Sequence, residues 1–194
     1  MSDQLQFTME QEIRDNISYV QIHISKKEVN QACDLAKKRD AKKVLYGAGR
    51  HGELTSSSEE SHIRGLIGEI AICKYLKKRV DTKIYDTHGD DGFDIITNKG
   101  KADIKTCHHP IAWTKPELKV PCQYRKDRIK LNKSDIFVLA SARKEGYGYL
   151  VRLWGWATKQ EVMESKTKKY RQNGPTNFVM LPEQLKDMSK LKEK

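Results

Sequence analysis

Two carboxylates and an ammonium stand close together in the run Gly92-Phe93-Asp94-Ile95-Ile96-Thr97-Asn98-Lys99-Gly100-Lys101-Ala102-Asp103-Ile104-Lys105-Thr106. The run reads as a short β-hairpin. Asp103 and Lys105 are two residues apart with strand character around them, so their side chains leave the same face of a sheet. Asp94 lies on the preceding strand and comes alongside them if Asn98-Lys99-Gly100 makes the turn. Acids and a lysine gathered on one sheet face are costly unless something such as a metal ion uses them. The hard oxygens of Asp94 and Asp103 suit Mg²⁺, with Mn²⁺ as an alternative, an ion that keeps several waters and binds phosphate oxygens directly. Lys105 can hold an attacking water and a phosphate, giving orientation and electrostatic stabilisation. The chemistry outlined is phosphodiester hydrolysis.

The rest of the composition agrees with a polyanionic partner. Thirty-seven Lys and Arg against 26 Asp and Glu leave a formal charge of +11 on 194 residues. Such a charge favours nucleic acid and speeds encounter with it, although a merely soluble basic protein would share the sign. A chain of this length suits one domain with a sizeable core, and 37% hydrophobic residues with three tryptophans set it apart from disordered sequences. No run is long and apolar enough to span a bilayer, no basic amphipathic helix stands out, and the start lacks signal-peptide character. The cytoplasm is therefore the expected location. Cys33, Cys73, Cys107 and Cys122 form no CxxC pair, so free thiols are expected, and no common zinc-finger spacing is present.

The elements that must position the hairpin can be followed along the chain. Tyr19-Val20-Gln21-Ile22-His23-Ile24 alternates as a strand, and Ser25-Lys26-Lys27-Glu28 has the form of a capping box opening a helix. Its late charges Lys37, Lys38 and Arg39 suit a helix C-terminus without invoking a ligand. Residues 46–58 loosen into a glycine- and serine-rich loop holding Arg50 and His51. Ser57 and Glu60 stand at capping-box spacing before a second helix with Leu66, Ile70 and Cys73 on its apolar face. Gly65 and Gly68 weaken that helix unless a backbone or ligand approaches closely. Glu69 sits among its apolar residues and needs a partner.

Residues 107–134 form a proline-punctuated loop with Lys115, Lys119, Tyr124, Arg125, Lys126, Arg128 and Lys130 as candidate nucleic-acid contacts. Cations placed for phosphates and aromatics able to stack on bases are a common combination, and a solvated loop whose aromatics anchor it is the competing reading. Then follow a buried strand from Asp135, a second strand 147–157, and a short helix capped by Thr158 and Glu161. The basic cluster Lys166, Lys168, Lys169 and Arg171 precedes a turn, a strand 177–181 comes next, and residues from Lys186 read as a frayed helix. This order indicates an α/β domain with a mixed sheet. Asp86, Asp90 and Asp91 add acidity near the hairpin but suit a turn equally well. His88, His108 and His109 are weaker candidates for substrate contact.

Glu69 on a helix, Asp94 on one strand and Asp103-Ile104-Lys105 on the next resemble the PD-(D/E)XK nuclease superfamily. The resemblance covers residues 57–157. It implies a restriction-endonuclease-like core, a central mixed β-sheet flanked by helices, in residues 56–194, with residues 1–55 as a strand-helix extension and loop packing on it. By the same resemblance Asp94 is the first motif aspartate, Asp103 the second acid, Lys105 the lysine and Glu69 the helical glutamate. Glu69, Asp94, Asp103 and the backbone carbonyl of Ile104 would hold the metal, and hydrolysis would leave 5′-phosphate and 3′-hydroxyl ends. Phe93 stands where the family's proline is expected. The glutamine-tyrosine motif of the helicase-linked exonucleases is absent, as Gln123-Tyr124 lacks its spacing. The expectation is therefore a metal-dependent DNA endonuclease, and cutting both strands would call for a homodimer. The alternatives are an idle nucleic-acid-binding module with the same fold, or a junction-specific or RNA nuclease.

Overall fold

A computed structural model describes residues 17–45, 56–84, 92–125, 128–130, 133–170, 172 and 176–192. Among the described residues the helices and strands follow in the order β1 (Val20–Ile24), α1 (Lys26–Leu45), α2 (Ser56–Tyr75), β2 (Ile95–Thr97), β3 (Gly100–Cys107), β4 (Leu118–Pro121), β5 (Gln123–Arg125), β6 (Arg128–Lys130), β7 (Ile136–Glu145), β8 (Gly148–Thr158), α3 (Lys159–Glu164), β9 (Lys166–Lys169) and β10 (Thr176–Met180). The architecture is mixed α/β: a curled five-stranded sheet in the order β1-β8-β7-β3-β2, a three-stranded sheet β4-β10-β9, and the ribbon β5-β6. In the large sheet β3 and β7 run parallel and the other neighbours antiparallel. No helix among the described residues is long and apolar enough to cross a membrane.

Alternation along the strands sorts the core into two layers. Ile22, Ile24, Ala102, Ile104, Ile136, Val138, Ala140, Val151 and Leu153 pack with Leu66, Ile67, Ile70 and Ala71 of α2 and Ala32 and Ala36 of α1. On the other face Phe137, Leu139, Trp154 and Ala157 meet Leu118 and Val120 of β4 and Phe178 and Met180 of β10. Strand β7 is therefore apolar on both sides, as a strand covered on both faces must be. A bulge between Leu139 and Ala140 shifts its register against β8 and lets the Trp154 indole N–H donate to Ser141 at 2.8 Å.

The expected N-terminal strand is the sheet's own edge strand. β1 pairs with β8 from Val20↔Leu153 to Ile24↔Tyr149, so this segment completes the sheet as well as the core. The Ser25–Glu28 capping box closes as expected, with the Ser25 amide donating to Glu28 Oε2 at 2.7 Å. The Thr158–Glu161 box closes likewise. Helix α2 starts at Ser56, which places Ser57 inside it and not at its cap.

Two expectations are corrected. The segment 107–134 is not one long loop: it holds a 3-10 turn Pro110–Trp113 and strands β4, β5 and β6. Strand β4 survives its flanking prolines because Leu118 and Val120 are buried, 1% and 3% exposed, while Lys119 points outward. The C-terminal segment is not a frayed helix either. Lys186 and Trp156 exchange backbone hydrogen bonds of 3.0 and 2.8 Å where β1 no longer flanks β8. A 3-10 turn Met188–Leu191 then buries Met188 and Leu191 in the core.

Candidate active site

The hairpin forms with a two-residue turn. Ile95 pairs with Ala102 and Thr97 with Gly100, leaving Asn98 and Lys99 at the tip. Gly100 has φ +109°, and a Cβ there would lie 2.5 Å from Asp135 Oδ2. Asp135 uses that oxygen to accept the Lys101 amide at 2.8 Å, while its own amide donates to the Lys101 carbonyl at 2.7 Å. The start of β3 is thus clamped to the start of β7, and the register of Asp103 and Lys105 follows from that clamp.

Asp94 lies just before β2, where β3 runs on beyond its antiparallel partner. Its amide donates to the Ala102 carbonyl at 2.8 Å, and its Oδ2 accepts the Ile104 amide at 2.6 Å. Both neighbours of Asp103 are therefore held by Asp94, which serves the backbone that a longer β2 would have served. A strand residue directs its N–H and C=O to the same side. The Ile104 carbonyl accordingly points out of the same edge as the amide that Asp94 accepts.

Glu69 reaches this edge from α2, which is seated against β3 by a close approach at Gly68. A Cβ on Gly68 would stand 1.9 Å from Thr106 Oγ1 and 3.3 Å from Ile104 Cγ2. Glu69 and Asp103 lie near enough for their charges, with burial as the larger cause, to push the Asp94 carboxyl up to about 8. The same surroundings, burial first and then Glu69 and Asp94, push the Cys73 thiol up to about 12. Among the described residues, Lys105 and Arg39 reach the acids. Lys105 Nζ is 2.7 Å from Asp103 Oδ2, with the lysine side chain 31% and the aspartate side chain 10% exposed. Arg39 of α1 brings its guanidinium to 3.9 Å from Glu69 and donates to the Asp81 carbonyl at 3.0 Å. Sequence reasoning missed Arg39, because the contact joins two helices far apart in the chain and its position also suits a helix C-terminus.

The structure thus gathers Glu69, Asp94, Asp103, Ile104 and Lys105 at one edge. Among the described residues no group of three or more His, Cys, Asp and Glu side chains forms a ready-made metal cage. The donors still match a hard cation: two neighbouring aspartates and an outward-facing backbone carbonyl are oxygens, and Mg²⁺ is commonly held by one or two carboxylates with water completing its shell.

The basic candidates disperse. Lys115 is exposed after the 3-10 turn, and Lys119 lies on β4. Tyr124, Arg125, Arg128 and Lys130 belong to the β5-β6 ribbon, where Arg125 pairs with Arg128 and Gln123 with Lys130. Lys126 lies outside the described residues, as do Arg50, His51, Asp86, His88, Asp90 and Asp91. Trp113 is an anchor: its ring is buried with the guanidinium of Arg152 at 4.1 Å and that of Arg143 at 4.6 Å. His108 is a packing histidine, its Nε2 3.1 Å from the Arg64 carbonyl and its ring edge-on to Tyr149, and burial pulls its pKa down to about 4. His109 is exposed and accepts the Ile111 amide at 3.3 Å in the 3-10 turn. The four cysteines are free thiols.

Comparison with known proteins finds no matching family model, no matching curated protein and no matching solved structure.

Proposed function

We propose that this protein is a metal-dependent DNA endonuclease with a restriction-endonuclease-like core, its active site built on the β2–β3 hairpin. The observation that carries the reading is the convergence of Asp94, Asp103 and Lys105 on one sheet edge beside Glu69, inside a chain of charge +11. The order helix, hairpin, then a strand parallel to β3 supports the same reading.

Asp94, Asp103 and the Ile104 carbonyl would hold Mg²⁺ or Mn²⁺, with Glu69 completing the shell or orienting a water on it. When bound, the cation lowers the pKa of a water and offsets charge developing on the phosphoryl group. Lys105 is partly exposed and donor-only, so its ammonium can orient an attacking water and a phosphate oxygen. The water oxygen bonds to phosphorus as the P–O3′ bond breaks, and in the balance one proton of that water ends on the departing 3′-oxygen. The products carry 5′-phosphate and 3′-hydroxyl ends.

A second reading has one observation in its favour. The 2.7 Å pair between Lys105 and Asp103 already neutralises both groups, as it would in an idle module that only binds nucleic acid. Incubation with supercoiled, linear and branched DNA, in Mg²⁺ and in EDTA, separates the two. The endonuclease produces metal-dependent cuts that disappear in Asp103→Ala and Lys105→Ala. Binding without cutting, alike in all three proteins, selects the idle module, and structured RNA added to the panel tests the RNA alternative.

A further inference from the structure

Strand β3 continues past the hairpin site toward a cluster that the catalytic reading does not use. Asp103, Lys105 and Cys107 share a sheet face by alternation, so Cys107 lies one same-face step, about 7 Å, beyond Lys105. Its Sγ donates to the Glu117 carbonyl at 3.6 Å. The Glu117 carboxylate in turn collects three groups: the Tyr170 hydroxyl donates to it at 2.5 Å, Lys119 Nζ stands at 3.2 Å and Lys168 Nζ at 3.3 Å. Both ammonium groups also lie against the Tyr170 ring, 4.0 Å and 4.6 Å from its centroid.

This assembly bridges β4 and the segment after β9, two parts of the small sheet separated by β10. It also keeps its working surfaces outside. Tyr170 is 39% exposed, and the Lys119 and Lys168 side chains are 42% and 55% exposed. One carboxylate against two ammonium groups leaves a net positive charge around a partly exposed aromatic ring. Exposed cations recognise phosphates and an exposed ring stacks on a base whatever its sequence. The hydroxyl anchors the ring to Glu117, and the ring stays partly exposed with the two ammonium groups against it.

We propose that Tyr170, Lys119 and Lys168 form the landing surface for the DNA strand beside the cleaved phosphate, with the ring taking a base and the ammonium groups a phosphate. The proposal rests on the nuclease reading of the β2–β3 hairpin for its placement, and its test does not require cutting. Binding of a short fluorescein-labelled single-stranded DNA is measured in EDTA across a range of salt concentrations. The Lys119→Met, Lys168→Met double variant should lower the slope of log affinity against log salt by about 1.4, from about 0.7 per lost contact on single strands. Tyr170→Ala should weaken binding roughly fivefold or more, whereas Tyr170→Phe, which keeps the ring, should bind close to wild type. Lys168→Glu, on the exposed edge, supplies a charge-reversal variant that removes no buried atoms.

An unchanged salt slope in the lysine variants, with their melting curves intact, would overturn the proposal. A Tyr170→Phe loss equal to that of Tyr170→Ala would also overturn it, by showing that the cluster acts as a staple through its hydroxyl. Cutting of the same DNA with Mg²⁺ is scored separately. A wild type that binds through this surface and never cuts refutes the nuclease reading and leaves the landing surface standing.

Discussion

Strands β3 and β7 run side by side, paired residue for residue from Ala102↔Ile136 to Cys107↔Ser141, yet they carry opposite chemistry. On the face that packs on the helices both are apolar: Ala102 and Ile104 beside Ile136 and Val138. On the other face β7 presents Phe137 and Leu139, whereas β3 presents Asp103 and Lys105 at the same register. Asp103 is 7% exposed, nearly as closed to water as Phe137 at 0%. The backbone position therefore does not ask for charge. An ion pair whose lysine side chain is 31% exposed contributes only about 0–1 kcal/mol, so this pair is poorly explained by stability alone. The contrast sets an apolar strand, β7, beside a strand, β3, whose charges the proposed nuclease site would use.

The largest expected effect lies on the β7 side. Phe137→Ala should lose about 3–5 kcal/mol in chemical denaturation, from transfer and cavity terms together. Asp103→Asn at the paired position should change stability by no more than about 1 kcal/mol, because Lys105 can turn its ammonium to solvent. A comparable loss at both positions would erase the distinction between the strands.

The next effect concerns how β3 is held. Gly68→Ala should cost about 1–3 kcal/mol, since the new methyl meets Thr106 Oγ1 at 1.9 Å. Thr106 Oγ1 is buried without a hydrogen-bond partner among the described residues, so Thr106→Ala removes the obstacle without breaking a described bond. The double variant should recover most of the loss, a coupling that a double-mutant cycle reads directly.

The acids beside β3 should also write themselves into the pH dependence of stability. Asp94 is held up to about 8, chiefly by burial and then by Glu69 and Asp103, against an ordinary value of 3.8. The folded chain then binds more protons than the unfolded chain between those values, so stability falls as pH rises through that window. Denaturation in EDTA should show the decline from about pH 4 to about pH 8, and Asp94→Asn should flatten it. A wild-type profile that rises across the same window would contradict the geometry of the three acids.

Gly65 provides the smallest effect. A Cβ there meets nothing within 4 Å among the described residues, in contrast to Gly68 one turn along the same helix. Gly65→Ala should stabilise the protein by up to about 1 kcal/mol in thermal melting.

What the sequence made legible was local. The β2–β3 hairpin, the Ser25–Glu28 and Thr158–Glu161 boxes and the apolar run of β7 all rest on residues a few positions apart, and all formed. Strands β4 and β9 were hidden for a physical reason. Only Leu118 and Val120 of β4 face the core, and that strand relies on pairing with the distant β10; all four β9 residues are exposed, so β9 shows no apolar alternation and is held by its pairing with β10. The C-terminal turn was hidden similarly, since Met188 and Leu191 are buried by tertiary contact among lysines. Within the site, Asp94, Asp103 and Lys105 were readable from hairpin spacing, whereas Arg39 entered through the packing of α1 on α2. Lys168 and Tyr170 were unreadable because Glu117, the residue that collects them, lies more than fifty positions earlier.

On the proposed reading, the charges on β3 serve chemistry and not the fold. The most direct test measures Mg²⁺-dependent DNA cutting and melting temperature together for wild type, Asp103→Asn and Lys105→Met. Wild type should cut and each variant should lose about a hundredfold or more, with melting temperatures within a few degrees of one another. Equal cutting by all three, or no cutting by a well-folded wild type that binds the same DNA, would contradict it.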